Sequence, residues 1–137
     1  MTEKNTLPLT EVLVFDGFDD LDAIAPLEIL TAAGFPTRVV RPAGHATIVH
    51  SAHGLLMQVD AELRAALSPA LVLVPGGGWL DAGAGVRDQC EGPLPAALAV
   101  LHDAGTVVAS VCTGAMLLAR AGLLTGRPAV TNRNALD

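Results

Sequence analysis

The sequence predicts an α/β fold, a mostly parallel, doubly wound sheet with helices on both faces. Three observations predict it. Strand-like and helix-like segments alternate along the chain. The strand-like segments are near-continuous apolar runs, such as ALVLV at 70–74, as expected of strands covered on both sides. Asp22, the glycines Gly76 to Gly78, and Cys112 each follow such a run, so they converge on the edge where parallel sheets form their crevice.

The elements follow in order. Met1 to Thr10 is polar and reads as a frayed start. Glu11 to Phe15 (EVLVF) is the first strand and Asp16 to Asp20 a turn. Leu21 to Ala33 places Leu21, Ile24, Ala25, Ile29 and Ala32 at helical spacing and ends at Gly34. Pro26 either kinks that helix or marks its first turn, and in the second case Asp22 lies just ahead of it. Thr37 to Arg41 is a second strand and Pro42 to His45 a turn. Thr47 to His50 and Leu55 to Val59 form a short pair across Ser51 to Gly54. Asp60 is the expected N-cap of a short helix over Ala61 to Leu67. Ala70 to Val74 is a buried strand that runs straight into Pro75-Gly76-Gly77-Gly78. Trp79 to Gly92 reads as irregular. Pro93 to Ala104 carries Leu94, Leu98 and Leu101 on one helical face, with Gly105 as its stop. Val107 to Val111 is a β-branched run expected to be fully buried, and Thr113 to Ala121 is a helix stopped by Gly122. Pro128 to Thr131 reads as a last strand, and Asn132 to Asp137 opens a further element.

Composition narrows the function classes. The chain has 137 residues, one domain at most, and 51% of them are hydrophobic, which suits a packed core and not a disordered chain. Aromatics make up only 3%, so Ala, Val and Leu must build that core. A net charge of −6 with no basic patch argues against nucleic acid or an anionic membrane as a partner. Asp, Arg, Pro and Gly interrupt every apolar stretch before it reaches membrane-spanning length, and no signal run opens the chain. The two cysteines, Cys90 and Cys112, sit in unrelated contexts without metal-ligand spacing, so no metal is expected and a reducing cytoplasm is the natural home.

The chemistry centres on Cys112. It stands where a strand turns sharply into a helix, a corner that lifts its side chain out of the sheet. There it faces the first N–H groups of the helix, which favour the thiolate, the form that attacks. The competing reading is a buried, inert cysteine. Gly76 and Gly77 can turn backbone N–H groups toward an anion or oxyanion, or simply make a tight turn. The run is neither a phosphate loop nor a dinucleotide fingerprint. Asp22, set between Leu21 and Ala23-Ile24, is a candidate for partial burial, a raised pKa and general-acid work beside a thiolate; the alternative is a solvated helix cap. Asp19 and Asp20 compete by proximity. Of the histidines, His45, His50, His53 and His102, none stands beside a strand end that leads to the crevice. His50 and His53 flank the hairpin turn, and His102 reads as surface. Cys90, before Glu91 in an irregular stretch, reads as incidental.

These residues carry a resemblance. Ala109-Ser110-Val111-Cys112-Thr113-Gly114-Ala115, followed by Ala121-Gly122-Leu123-Leu124-Thr125-Gly126, resembles the nucleophile elbow of the DJ-1/PfpI (ThiJ) superfamily. Val72-Leu73-Val74-Pro75-Gly76-Gly77 resembles its oxyanion strand and loop. Val14-Phe15-Asp16-Gly17-Phe18, Leu21-Asp22 and Pro26-Leu27-Glu28-Ile29-Leu30 are similar to the start of its isocyanide hydratase branch. The resemblance implies a flavodoxin-like sandwich of the class I glutamine amidotransferase-like type, usually a homodimer, with no metal or organic cofactor. It implies Cys112 as nucleophile, Asp22 as the carboxyl group bonded to the thiolate, and Gly77 and Thr113 as the frame of an oxyanion pocket. Thr113 replaces the histidine of the protease-like and glyoxalase-like members, which argues against a Cys-His dyad and peptidase activity.

The chain departs from the hydratase pattern at Thr131-Asn132-Arg133, where those relatives carry Thr-His-Trp. Family members also continue for a strand-and-helix segment beyond the single domain of residues 1–137, so the expectation is either a fragment or processed piece, or a protein without that part. The first functional expectation is addition of water to a small-molecule isocyanide. A second is the ligand-sensing amino-terminal domain of AraC-type transcriptional regulators, which the same fold with a Cys-Thr-Gly elbow resembles. A third is a DJ-1-like redox or carbonyl-stress protein with Cys112 as the oxidisable thiol. Substrate contacts are expected from Phe18, from Trp79 to Gly85 and from the segment after Thr131.

Overall fold

Four short parallel strands position everything else. They belong to a computed structural model that describes residues 7–136. The expected frayed start falls largely on residues 1–6, outside the described range, and Thr10 already belongs to the sheet. In chain order the strands are β1 (Thr10–Leu13), β2 (Thr37–Val40), β5 (Leu71–Val74) and β6 (Val107–Ser110). They lie in the order β2-β1-β5-β6, with Val12 opposite both Val39 and Leu73, and Leu73 opposite Ala109. A separate antiparallel ribbon pairs β3 (Ile48–His50) with β4 (Leu56–Gln58). Between β1 and β2, Arg38 Nε donates to the buried Glu11 carboxylate at 2.6 Å, across a registered pair.

The helices are α1 (Asp20–Ala32), α2 (Val86–Cys90), α3 (Leu94–Asp103) and α4 (Ala115–Arg120). The chain steps from β1 through α1 to β2 in one direction, and from β5 through α3 to β6 in the other. Right-handed crossovers in opposite directions place α1 and α3 on opposite faces. The contacts agree, since α1 packs on β1, β2 and β5, whereas α3 and α4 pack on β6 and on each other. The direction reverses between β1 and β5, so the crevice of a doubly wound sheet opens there, beyond their carboxyl ends. Phe15, Phe18, Leu98, Leu101 and Leu117 are fully buried in the core.

Five expectations change. α1 runs through Pro26 from Asp20, so Asp22 lies inside its first turn and not ahead of it. Pro26 only removes the donor that Asp22's carbonyl would otherwise use. The helix expected after Asp60 shrinks to a 3-10 turn at Ala65–Leu67. Its first residues are held extended against β2's end, with Arg41 N–H donating to Ala61 and Leu63 N–H to Arg41, while Arg41 Nη1 meets Glu62 at 2.9 Å. Asp60 instead accepts from Gln58 Nε2. Trp79 to Gly92 is not wholly irregular, because α2 starts after Gly85. β6 is the sheet's edge, so Val107 is 61% exposed and the strand is half-buried at best. Pro128 to Thr131 forms no strand; Val130 is exposed, and a 3-10 turn follows at Arg133–Ala135, capped by Asn132 Oδ1 accepting from Asn134 N–H.

Candidate active site

Cys112 sits at a strained corner. Val111 is still extended, Cys112 has φ 55°, and a 3-10 turn over Cys112–Gly114 leads into α4. A left-handed conformation is uncommon for a residue with a Cβ. Only Ser68 shares it among the described non-glycine residues. Gly114 allows the turn to seat itself on β5, because a Cβ there would meet the Val74 carbonyl oxygen at 2.6 Å and that of Pro75 at 2.7 Å.

Asp22 approaches from the other side of the switch point. As the third residue of α1 its carboxylate lies in the turn where the helix favours negative charge. Its Oδ2 accepts the Gly76 N–H at 3.1 Å, and its carboxyl group and the Cys112 side chain close on the same point beside Gly76. Burial pushes the Asp22 pKa up, the charge of Asp19 adds to this, and the Gly76 N–H and the Cys112 side chain pull it back in part. Gly76 is what lets the two groups meet. A Cβ at Gly76 would stand 2.7 Å from Asp22 Oδ2, 2.8 Å from Cys112 Cβ and 3.1 Å from its sulfur.

Thr113 ties the two loops together. Its hydroxyl accepts the Gly77 N–H at 3.0 Å and donates to the Gly77 carbonyl at 2.9 Å. Gly76 N–H thus donates to Asp22, Gly77 N–H to Thr113, and Gly78 N–H to the Gly17 carbonyl at 3.3 Å. The glycine run therefore directs its N–H groups at the protein itself. The N–H groups of Cys112 and Thr113 open a helical turn and have no acceptor within it. Thr131 Oγ1 donates to the Cys112 carbonyl at 3.2 Å and so braces the elbow from the C-terminal segment.

Cys112, Thr113 and Gly77 line a cleft of about 560 Å³; Asp22 and Gly76 support the sulfur without lining it. Trp79 to Ala84 form one wall, and Asn132 and Asn134 contribute from the C-terminal segment. Phe18, expected among the contacts, is not there; it is fully buried beneath the loops. Of the competing carboxylates, Asp19 lines the cleft and Asp20 turns away to Ser51 and His53. His53 lines the cleft too, which its place in a hairpin turn did not signal. His45, His50 and His102 do not. Among the described residues no cluster of His, Cys, Asp and Glu has a metal-binding arrangement. No described helix is long and apolar enough to cross a membrane.

Comparison with known proteins agrees with this architecture. The chain matches the DJ-1/PfpI family over residues 11–137. It is 40% identical over 125 residues to a Streptomyces lividans protein called "Uncharacterized protein in cpoL 5'region", covering 88% of this chain and 84% of that one. Among solved structures it is similar to a cysteine-to-alanine mutant of DJ-1 superfamily protein STM1931 from Salmonella typhimurium, with a TM-score of 0.76, 27% identity, and 88% of this chain on 64% of that one. Oxidised Toxoplasma gondii DJ-1 shares the fold, with a TM-score of 0.72 at 24% identity over 90% of this chain and 66% of that one. The chain thus spans 64% of the length of the Salmonella protein. The chain belongs to the DJ-1/PfpI family.

Proposed function

We propose that this DJ-1/PfpI chain is a cysteine-dependent enzyme that adds water to an isocyanide and releases an N-substituted formamide. The observation that carries the reading is the packing of the Asp22 carboxyl group and the Cys112 sulfur together against the bare Cα of Gly76, beside an open cleft. A thiolate needs a nearby acid when its target carbon becomes basic on attack, and a carboxyl group held partly buried is such an acid.

The Cys112 thiolate bonds to the terminal isocyanide carbon, and Asp22 gives that carbon its proton, leaving a thioimidate and an Asp22 carboxylate. Water adds across the carbon–nitrogen double bond, oxygen to carbon and hydrogen to nitrogen. The adduct then expels the thiolate as its hydroxyl proton returns to Asp22, which frees the formamide. The Thr113 N–H is the donor open to the developing negative charge, and the Gly77 N–H joins it if the Thr113 hydroxyl lets go. The site as proposed needs only a small molecule and no cofactor. We further propose a homodimer working in a reducing cytoplasm. Exposed Val107 on the sheet edge and exposed Leu21 and Ile29 on α1 support a partner copy.

The test is direct. Purified protein incubated with cyclohexyl isocyanide is expected to yield N-cyclohexylformamide by NMR, and Cys112→Ala to yield none above background. An unmodified substrate with wild-type protein, or product formed equally by Cys112→Ala, overturns the reading.

A further inference from the structure

The first turn of α1 sends carboxylates in two directions. Asp22 goes to Gly76 and the Cys112 sulfur. Asp20 goes to the β3–β4 hairpin, where its Oδ2 accepts from the Ser51 hydroxyl at 2.7 Å and its Oδ1 bonds His53 Nδ1 at 2.9 Å. The hairpin is fixed on this side of the molecule. Ala52 N–H donates to the Phe18 carbonyl at 2.8 Å, Gly17 N–H to the His50 carbonyl at 2.8 Å, and Leu55 N–H to Ser51 Oγ at 2.8 Å. His53 is thus held by a buttressed carboxylate, and it lines the same cleft as Cys112. Because Nδ1 is committed to Asp20, Nε2 is the nitrogen left to meet a ligand.

The charges of the cleft make this matter. Asp19 and Asp81 line it, and no Lys or Arg does among the described residues. His53 is therefore the lining side chain there that can carry positive charge.

We propose that His53, oriented by Asp20, is a substrate-recognition residue of the Cys112 cleft, and that it selects small electrophiles bearing a carboxylate or similar strong acceptor away from the reacting carbon. This rests on reading Cys112 as a reactive thiol, not on the isocyanide as its target. The bond from Asp20 and its charge, helped by Asp19, hold the His53 pKa above its ordinary value, so the cation persists toward neutral pH. Asp20 on α1, Asp19 before it, and Asp81 in the cleft wall are the charged groups around the ring and the ligand. The selectivity is strongest below the His53 pKa and fades as the pH rises through it.

Alkylation of Cys112 by iodoacetate and by iodoacetamide tests this without any turnover. Rates are read on the Cys112 peptide by mass spectrometry and normalised to glutathione, so the thiolate fraction cancels in their ratio. At pH 6 the normalised ratio of iodoacetate to iodoacetamide is expected to fall about threefold in His53→Gln, the scale of one exposed charge pair. The ratio should lose its pH dependence in the same variant. His53 is exposed in a turn, so the circular dichroism of His53→Gln should match wild type. A ratio that His53→Gln leaves unchanged at pH 6 overturns the proposal. Absence of Cys112 labelling by either reagent in the folded protein overturns this and the hydratase reading together. The expected fall of the ratio in His53→Gln, with no formamide produced by the wild-type protein, overturns the reaction alone and leaves His53 its role.

Discussion

The chain has two cysteines, and the structure treats them oppositely. Cys90 ends α2 in ordinary helical surroundings, 8% exposed, and burial pushes its thiol pKa up. Cys112 stands at φ 55° on the elbow after β6, partly exposed, on the wall of a cleft and packed with the Asp22 carboxyl group against Gly76. The residue type is the same, so the difference lies in the backbone. A regular helix presents a side chain to whatever packs on that face. The strained elbow instead carries its side chain out beyond the strand ends, where groups from β1, β5 and β6 meet.

The largest expected effect separates the two outright. Cys112→Ala should lower formamide formation at least about 10³-fold, the scale of losing a covalent nucleophile, whereas Cys90→Ala should stay within about twofold. Iodoacetamide should label Cys112 in the folded protein and reach Cys90 only after unfolding, read peptide by peptide. Equal labelling of both would erase the contrast.

Next comes the acid. Asp22→Asn keeps an acceptor for the Gly76 N–H but has no proton to give, so kcat/KM should drop about 10²-fold or more. Burial raises the Asp22 pKa, so its proton is present below that value and lost as the pH climbs through it. Wild-type activity should therefore fall on the alkaline side of that titration, and this limb should vanish in Asp22→Asn. The limb surviving in the variant would assign the titration to another group.

A smaller loss is expected from geometry alone. In Gly76→Ala the new methyl group would stand 2.7 Å from Asp22 Oδ2 and 3.1 Å from the sulfur, so both must move. A misplacement on the ångström scale costs about 10²-fold in kcat at most. Gly105→Ala is the control, because a Cβ there meets nothing within 4 Å, although its φ of +101° is strained. Gly105→Ala should lower Tm and leave kcat alone, whereas Gly76→Ala should lower kcat.

Sequence patterning made the strand–loop half of this molecule legible and left much of the rest hidden. β1, β5 and the elbow are short apolar runs ended by Asp, Pro-Gly or Cys-Thr-Gly, and such signals are local. The ordering of Asp22, Gly76 and Cys112 at one sheet edge followed from strand ends alone. What failed depended on partners distant in the chain. The stretch after Asp60 has helix-forming residues, but Arg41 claims its backbone groups for pairing. Pro128 to Thr131 has strand-like residues but no neighbouring strand, and Thr131 is drawn to the Cys112 carbonyl instead. His53 carries no local signal, because its partner, Asp20, lies 33 positions away. The one available signal was three carboxylates, Asp19, Asp20 and Asp22, crowded at the start of a helix, more than a single cap requires.

The smallest expected effect is in stability, and it reverses sign between the two cysteines. Within a helix, Gly is less favourable than Ala by about 1 kcal/mol. Cys90 has helical neighbours and ends α2, so Cys90→Gly should unfold at lower urea than Cys90→Ala by about that amount. At Cys112 the backbone already occupies φ 55°, where any Cβ costs about 1–2 kcal/mol and glycine is free of the penalty. Cys112→Gly should therefore be more stable than Cys112→Ala by about 1 kcal/mol. Comparing Gly with Ala at one site removes the lost sulfur from the difference, and neither Cys112 variant can react. What is left is the strain that the elbow holds, measured as a gap between two urea midpoints. Should Gly prove less stable than Ala at both positions, position 112 carries no such strain, and the contrast between the cysteines would rest on exposure and neighbours alone.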